Sequence, residues 1–158
     1  SIFFLFEYGG VIYVAHANTV SDVVTVSTWE QVAGADSGWI DLPLNSDVAS
    51  YDSSTNKPKY RKIGKQVFLK GVVYLTFDST YPMTTYFATL PEGFRPGSRY
   101  DAQIRVTGPD SPTSSSTMYI TPSDGKAKIN QIFNLNTSTA MTTGTFYAYL
   151  SDCTFLID

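Results

Sequence analysis

Charge is what this sequence has least of. Only 16% of the 158 residues are charged, against about a quarter in ordinary soluble domains. Eleven Lys and Arg face fourteen Asp and Glu, for a net charge of −3. A nucleic-acid partner needs clustered cations to neutralise phosphates, and the densest cluster here, residues 57–65, reads as one edge of a strand and its approach. Nucleic acid is therefore not an expected partner. There is one cysteine, Cys153, so no intrachain disulfide forms, which suits synthesis in a reducing cytosol. That thiol is expected to be buried and inert.

Histidine is equally scarce. His16 is the only one, in the strand-like run Val11-Ile-Tyr-Val-Ala-His-Ala, and a lone histidine there reads as structural. Ser-His-Asp and Cys-His devices both need a histidine beside the nucleophile. Metal-ligand spacing, a phosphate-binding glycine loop and a dinucleotide fingerprint are all missing. Residues 47–52 lack the alternation and terminal Glu of a calcium loop, and no cofactor or metal is expected. Glutamate occurs only at 7, 30 and 92. A glycosidase needs two carboxyl groups flanking the sugar bond. Glu92 sits in a turn-like Leu-Pro-Glu-Gly-Phe-Arg-Pro, while Asp41 and Asp101 adjoin strands. The expectation is a domain without catalysis, with a wall-polysaccharide hydrolase as a minor rival. No apolar run approaches the roughly 18 residues of a membrane helix. The apolar start is interrupted at Glu7 and lacks a basic segment, so neither a signal peptide nor membrane insertion is expected.

Helical periodicity is also missing; short β-branched and aromatic runs alternate with turn residues. Strands are expected at 2–6, 11–15, 23–32, 39–43, 59–63, 66–77, 86–90, 100–108, 117–121, 126–135, 145–150 and 154–157. Gly9-Gly10, Gly64-Lys65 and Ser123-Asp124-Gly125 mark tight turns. Residues 45–58, 109–116 and 136–144 read as polar loops, either solvated connections or recognition loops on a rigid scaffold. So many short strands imply an all-β domain, an antiparallel β-barrel or β-sandwich of jelly-roll-like form. Residues 1–38 differ in texture and form additional strands, an inter-subunit layer or shoulder of the same domain. Residues 39–158 form its main body.

Aromatics are abundant: eleven Tyr, ten Phe and two Trp. Pyranose rings stack their C–H faces on aromatic rings, and tyrosine adds a hydroxyl for hydrogen bonding. Most such rings alternate within strands, so core and subunit contacts compete with ligand contact as explanations.

The succession Trp39-Ile-Asp-Leu-Pro-Leu, Lys59-Tyr-Arg-Lys-Ile-Gly-Lys-Gln-Val-Phe-Leu-Lys-Gly-Val-Val-Tyr-Leu and Ala88-Thr-Leu-Pro-Glu-Gly-Phe-Arg-Pro resembles the C-terminal modules of tail and baseplate proteins from phages of Gram-positive bacteria. The ending, from Gly144-Thr-Phe-Tyr-Ala-Tyr-Leu to Leu156-Ile-Asp, is similar to the terminal strands of lactococcal and streptococcal phage receptor-binding heads. The resemblance covers residues 39–158. It implies a homotrimer of β-barrel heads at the distal tail or baseplate of a virion, made in the host cytoplasm. It further implies contact with other phage tail proteins and adsorption to host cell-wall polysaccharide. The resemblance points to Tyr119, in the strand before Pro122, with Tyr86 near it. Tyr147 and Tyr149 share one face of the last long strand, because side chains two apart point the same way. These four are the candidate saccharide-binding residues. The rival within the same family is a structural tail-tip spacer whose aromatics face neighbouring subunits.

Overall fold

The computed structural model describes residues 2–8, 11–17, 26–33, 36–77, 82–108, 111–141, 144–151 and 153–157. Side chains are described from Asp36 onward, except at 77 and 111–113. More than half of the chain is strand, the sheets curl into a half-barrel and the pairing is antiparallel; among the described residues there is no helix. The expected all-β antiparallel class is what the chain adopts.

Three strands stand first: β1 (Ile2–Tyr8), β2 (Val11–Ala17) and β3 (Val26–Ala33) pair in that order as one sheet. Tyr8 pairs with Val11, as the hairpin reading requires. The turn at Gly9-Gly10 and the side chain of His16 lie outside the described residues.

A four-stranded sheet follows the order β15-β7-β6-β4: β4 is Ile40–Asp41, β6 Lys59–Ile63, β7 Gln66–Lys70 and β15 Thr154–Leu156. An eight-stranded sheet runs β13-β12-β11-β10-β14-β8-β5, with β9 joined to β12. Its members are β5 (Ala49–Ser50), β8 (Val72–Phe77), β9 (Ala88–Thr89), β10 (Tyr100–Gly108), β11 (Ser111–Ile120), β12 (Lys126–Asn134), β13 (Thr139–Met141) and β14 (Gly144–Tyr149). One apolar core lies between these two sheets. Tyr60, Val67 and Leu69 come from the smaller; Val73, Leu75, Ile104, Val106, Met118, Ile120, Ile129, Phe146 and Ala148 come from the larger. Each alternates with a less buried neighbour, as period-two strands must.

Four elements depart from expectation: 45–58 and 136–144, read as loops, hold the short strands β5 and β13, and two further departures are larger. Residues 66–77 read as a single strand, but the chain leaves one sheet for the other at Gly71, whose φ is +98°. The neighbouring stretch turns the same corner between β14 and β15, with Leu150 N donating to Gly71 O and Leu69 N to Cys153 O. Residues 109–116 read as a polar loop, yet Ser111 begins β11. Its inward serines, Ser114 and Ser116, are buried, and the Ser116 hydroxyl donates to the Gln131 carbonyl. Pro112 is tolerated because pairing with β12 starts only at Ser114. Opposite lies a bulge: Thr117 pairs with Gln131 but Met118 with Ile129, leaving Asn130 as the extra residue. The bulge rephases β12, so Ile129 and Ile132 both reach the core.

The Leu90-Pro-Glu-Gly-Phe-Arg-Pro turn acts as a clasp. Leu90 is buried, and Phe94 meets the Tyr60 ring edge-on at 4.9 Å. Arg95 donates to the carbonyls of Leu90 and Ser123 at 3.1 and 3.0 Å. At the other sheet, Arg61 grips Asp36 with Nε at 2.8 Å and with its Nη2, and Gly38 N adds a bond at 2.8 Å. These donors hold the Asp36 carboxyl down at about 2, Arg61 being the larger cause. A carboxyl lowered from 3.8 stabilises the fold above its unfolded pKa and loses that contribution as pH falls towards 2. In an acid titration followed by carboxyl NMR, Asp36 should therefore titrate near 2, and Arg61→Ala should return it towards 3.8. An Asp36 midpoint unchanged by that substitution would remove the ion pair as the cause.

Candidate functional site

The outward face of the eight-stranded sheet collects polar and aromatic side chains in rows set by strand register. Tyr147 on β14 lies opposite Tyr74 on β8 and Thr107 on β10. The two tyrosine rings are 4.9 Å apart at an interplanar angle of 46°. One row along, Arg105 carries its guanidinium 3.9 Å from the centroid of the Tyr149 ring. The Tyr149 and Thr107 hydroxyl oxygens are 3.4 Å apart. Beside them is a depression of about 430 Å³ lined by Gln103, Ile104, Arg105, Tyr149 and Ser151. Apart from Ile104, every lining side chain can donate or accept a hydrogen bond.

Tyr119 occupies the same face, four residues along β11 from Ser115, which pairs with Arg105; that is roughly 13 Å. It lies between Asp101 on β10 and Lys128 on β12. The Arg99 guanidinium covers its ring at 4.3 Å and pairs with Asp101 at 2.9 Å. Partial burial pushes the Tyr119 hydroxyl above its usual pKa. Tyr86 borders this second patch: Lys126 stands 4.9 Å over its ring, and its carbonyl accepts from Asn45 Nδ2 at 3.0 Å. Tyr147 and Tyr149 thus form one group, and Tyr119 and Tyr86 flank the Lys126–Lys128 stretch as another.

Cations over Tyr119, Tyr86 and Tyr149 each occupy one ring face. A sugar stacking there has to use the opposite face or displace a favourable contact of about 0.5–1 kcal/mol. Tyr147 has another tyrosine as its neighbour instead. The Tyr74–Tyr147 pair thus has no cation among its described ring contacts, and Tyr149, Thr107 and Arg105 lie beside it. Tyr74 was missed from sequence. Its value comes only from the β8–β14 register, which joins residues about seventy apart.

Two of the acids considered for sugar cleavage, Asp41 and Asp101, have other partners. Asp41 pairs with Lys57 at 2.5 Å and Lys59 at 3.6 Å; Lys57 above all lowers its pKa. A general acid in glycoside hydrolysis needs the opposite shift. Asp101 is held by both Nε and Nη2 of Arg99. Among the described residues, no group of three or more His, Cys, Asp or Glu is arranged to hold a metal ion. Cys153 is buried, as expected. No described helix is long and apolar enough to cross a membrane.

Fold and face together define an antiparallel all-β domain with a tyrosine-rich outer surface. Comparison with protein-family models, curated proteins and solved structures finds no match.

Proposed function

We propose that this chain is a saccharide-binding receptor-recognition head of a phage tail protein, acting as a homotrimer and without catalysis. The observation that carries the binding reading is the row Tyr74–Tyr147–Thr107 with Tyr149 and Arg105 beside a polar-lined depression. Aromatic faces next to hydroxyl, amide and guanidinium groups suit a pyranose, which offers an apolar C–H face and a rim of hydroxyls. The resemblance over residues 39–158 supplies the phage context. A shallow site of this kind binds weakly. Several copies on one virion convert later contacts into intramolecular ones, raising avidity by roughly 10²–10⁴.

Purified wall polysaccharides from a panel of lactococcal and streptococcal strains, presented to the immobilised full chain, test this. At least one should bind reversibly. Tyr147→Ala should weaken it by about tenfold, for an aromatic contact of roughly 1–1.5 kcal/mol. Tyr149→Phe should weaken it less. Silence against the whole panel, or release of reducing ends, would overturn the reading.

The rings already capped by Arg99 and Lys126 favour a second reading, a structural tail spacer. Sedimentation of Tyr119→Ala and Tyr86→Ala separates the two: a spacer loses its assembly, whereas a receptor head keeps it.

A further inference from the structure

The four-stranded sheet turns a different surface to solvent. Five of the chain's eleven Lys and Arg, at 57, 59, 61, 65 and 70, lie on it or at its edge; Lys62 is on the Tyr60 side of β6 and donates to Gly93 O at 2.8 Å. Two carboxylates answer them: Asp36 is taken by Arg61, and Asp41 is shared by Lys57 and Lys59. Five cations against these two described carboxylates leave three positive charges on this face. The net charge of −3 then leaves six negative charges in excess over the rest of the chain.

Placement sharpens the imbalance. Lys59 and Lys70 are direct cross-strand partners on β6 and β7. Like charges in that position repel at about 5 Å between Cβ atoms, which destabilises the pair. Lys70 rests its ammonium 4.2 Å from the centroid of the Trp39 ring, with Arg61 at 5.8 Å. That indole is 38% exposed. Neither Lys65 nor Lys70 forms an ion pair with a described acid. The cations run from Lys57 along β6 to the turn at Lys65, roughly 25 Å, longer than one small anion needs.

We propose that this face is a second binding site, for an acidic polysaccharide. Carboxylate or sulfate groups sit between Lys59 and Lys70, relieving their repulsion, and sugar C–H groups lie against Trp39 on the ring face opposite Lys70 or in its place. Further acidic residues of the polymer follow the stripe towards Lys65. The site is separate from the tyrosine face and does not depend on it. Nucleic acid carries the same sign of charge and is the alternative occupant that the oligo(dT) arm of the test separates.

The test uses the full chain with four probes: heparin, polygalacturonate, neutral dextran and oligo(dT), read by calorimetry and tryptophan fluorescence. Heparin and polygalacturonate should bind and dextran should not, with affinity falling steeply between about 50 and 200 mM salt. Lys59→Gln and Lys70→Gln should each weaken heparin about tenfold or more, the effect of losing one charged hydrogen bond. Both variants should keep Tm within about 3 °C, since exposed substitutions perturb stability little. Tyr147→Ala should leave heparin binding unchanged, so this site and the tyrosine face are tested apart. The proposal fails if neither polyanion binds, if both Gln variants bind heparin as the parent does, or if dextran binds equally well. Oligo(dT) binding as tightly as heparin would also overturn it, in favour of a nucleic-acid surface.

Discussion

Gly71→Ala is expected to lower the urea midpoint of unfolding by roughly 2 M. At φ +98° a side chain is strained whatever the space. Here there is no space either: a Cβ would lie 2.6 Å from the Lys57 carbonyl oxygen, and 2.7 Å from both the Asn56 oxygen and the Pro58 Cα. These are backbone atoms, and they cannot retreat freely. Asn56 O accepts from Val72 N at 2.8 Å, and Pro58 O accepts from Leu42 N at 2.9 Å. Strain of about 1–2 kcal/mol adds to overpacking of about 1–3 kcal/mol. With an urea m-value near 2 kcal/mol/M, the sum corresponds to the stated shift. Gly38→Ala is the control: its φ is +65°, but nothing lies within 4 Å of the added carbon. It should cost only the strain, about 1 kcal/mol. Equal midpoints for the two variants would show that the close approach of residues 56–58 is not what demands glycine at the corner.

That corner also marks where the sequence stops being readable. The glycine within 66–77 was visible, and so was the alternation on either side. A sheet change, however, is decided by which strands lie opposite, and those come from residues 149–156. Local signals did better. Residues 59–63 and 100–108 form strands with the expected ends, and Gly64-Lys65 makes the two-residue turn between Ile63 and Gln66. Composition misled at 109–116, because buried serines look like loop serines until their acceptors are known. The same divide runs through the candidate site. Period two alone puts Tyr147 and Tyr149 on one face. The pairing of Tyr147 with Tyr74, and the cations over Tyr119, Tyr86 and Tyr149, depend on neighbours distant in sequence. The clasp residues Phe94 and Arg95 were read as part of a turn, but not as the contacts that fasten it to Tyr60 and Ser123.

Phe87→Ala should produce the second large effect, a loss of about 3–5 kcal/mol and a fall in Tm of roughly 10–15 °C for a chain of this size. Phe87 is the largest of the side chains with no solvent exposure. Its removal leaves a cavity that rigid strands close poorly. The backbone around it is a seam: Phe87 N donates to Ala127 O, and Phe87 O accepts from Asn45 N, both at 2.9 Å. Ala88 then pairs with Ala127 and bridges Leu44. The backbone on either side of the ring thus ties a segment with little secondary structure of its own to β12 and to residues 44–45. That segment also carries Tyr86, so the cavity should loosen the Lys126–Tyr86 contact. The Tyr74–Tyr147 pair on β8 and β14 should stay in place. Calorimetry gives the stability change; glycan binding well below Tm shows whether the two patches are independent. Phe87→Leu, which keeps most of the volume, should recover the greater part of the loss. A fall of less than about 3 °C in Phe87→Ala would mean that the seam is held by its backbone bonds alone.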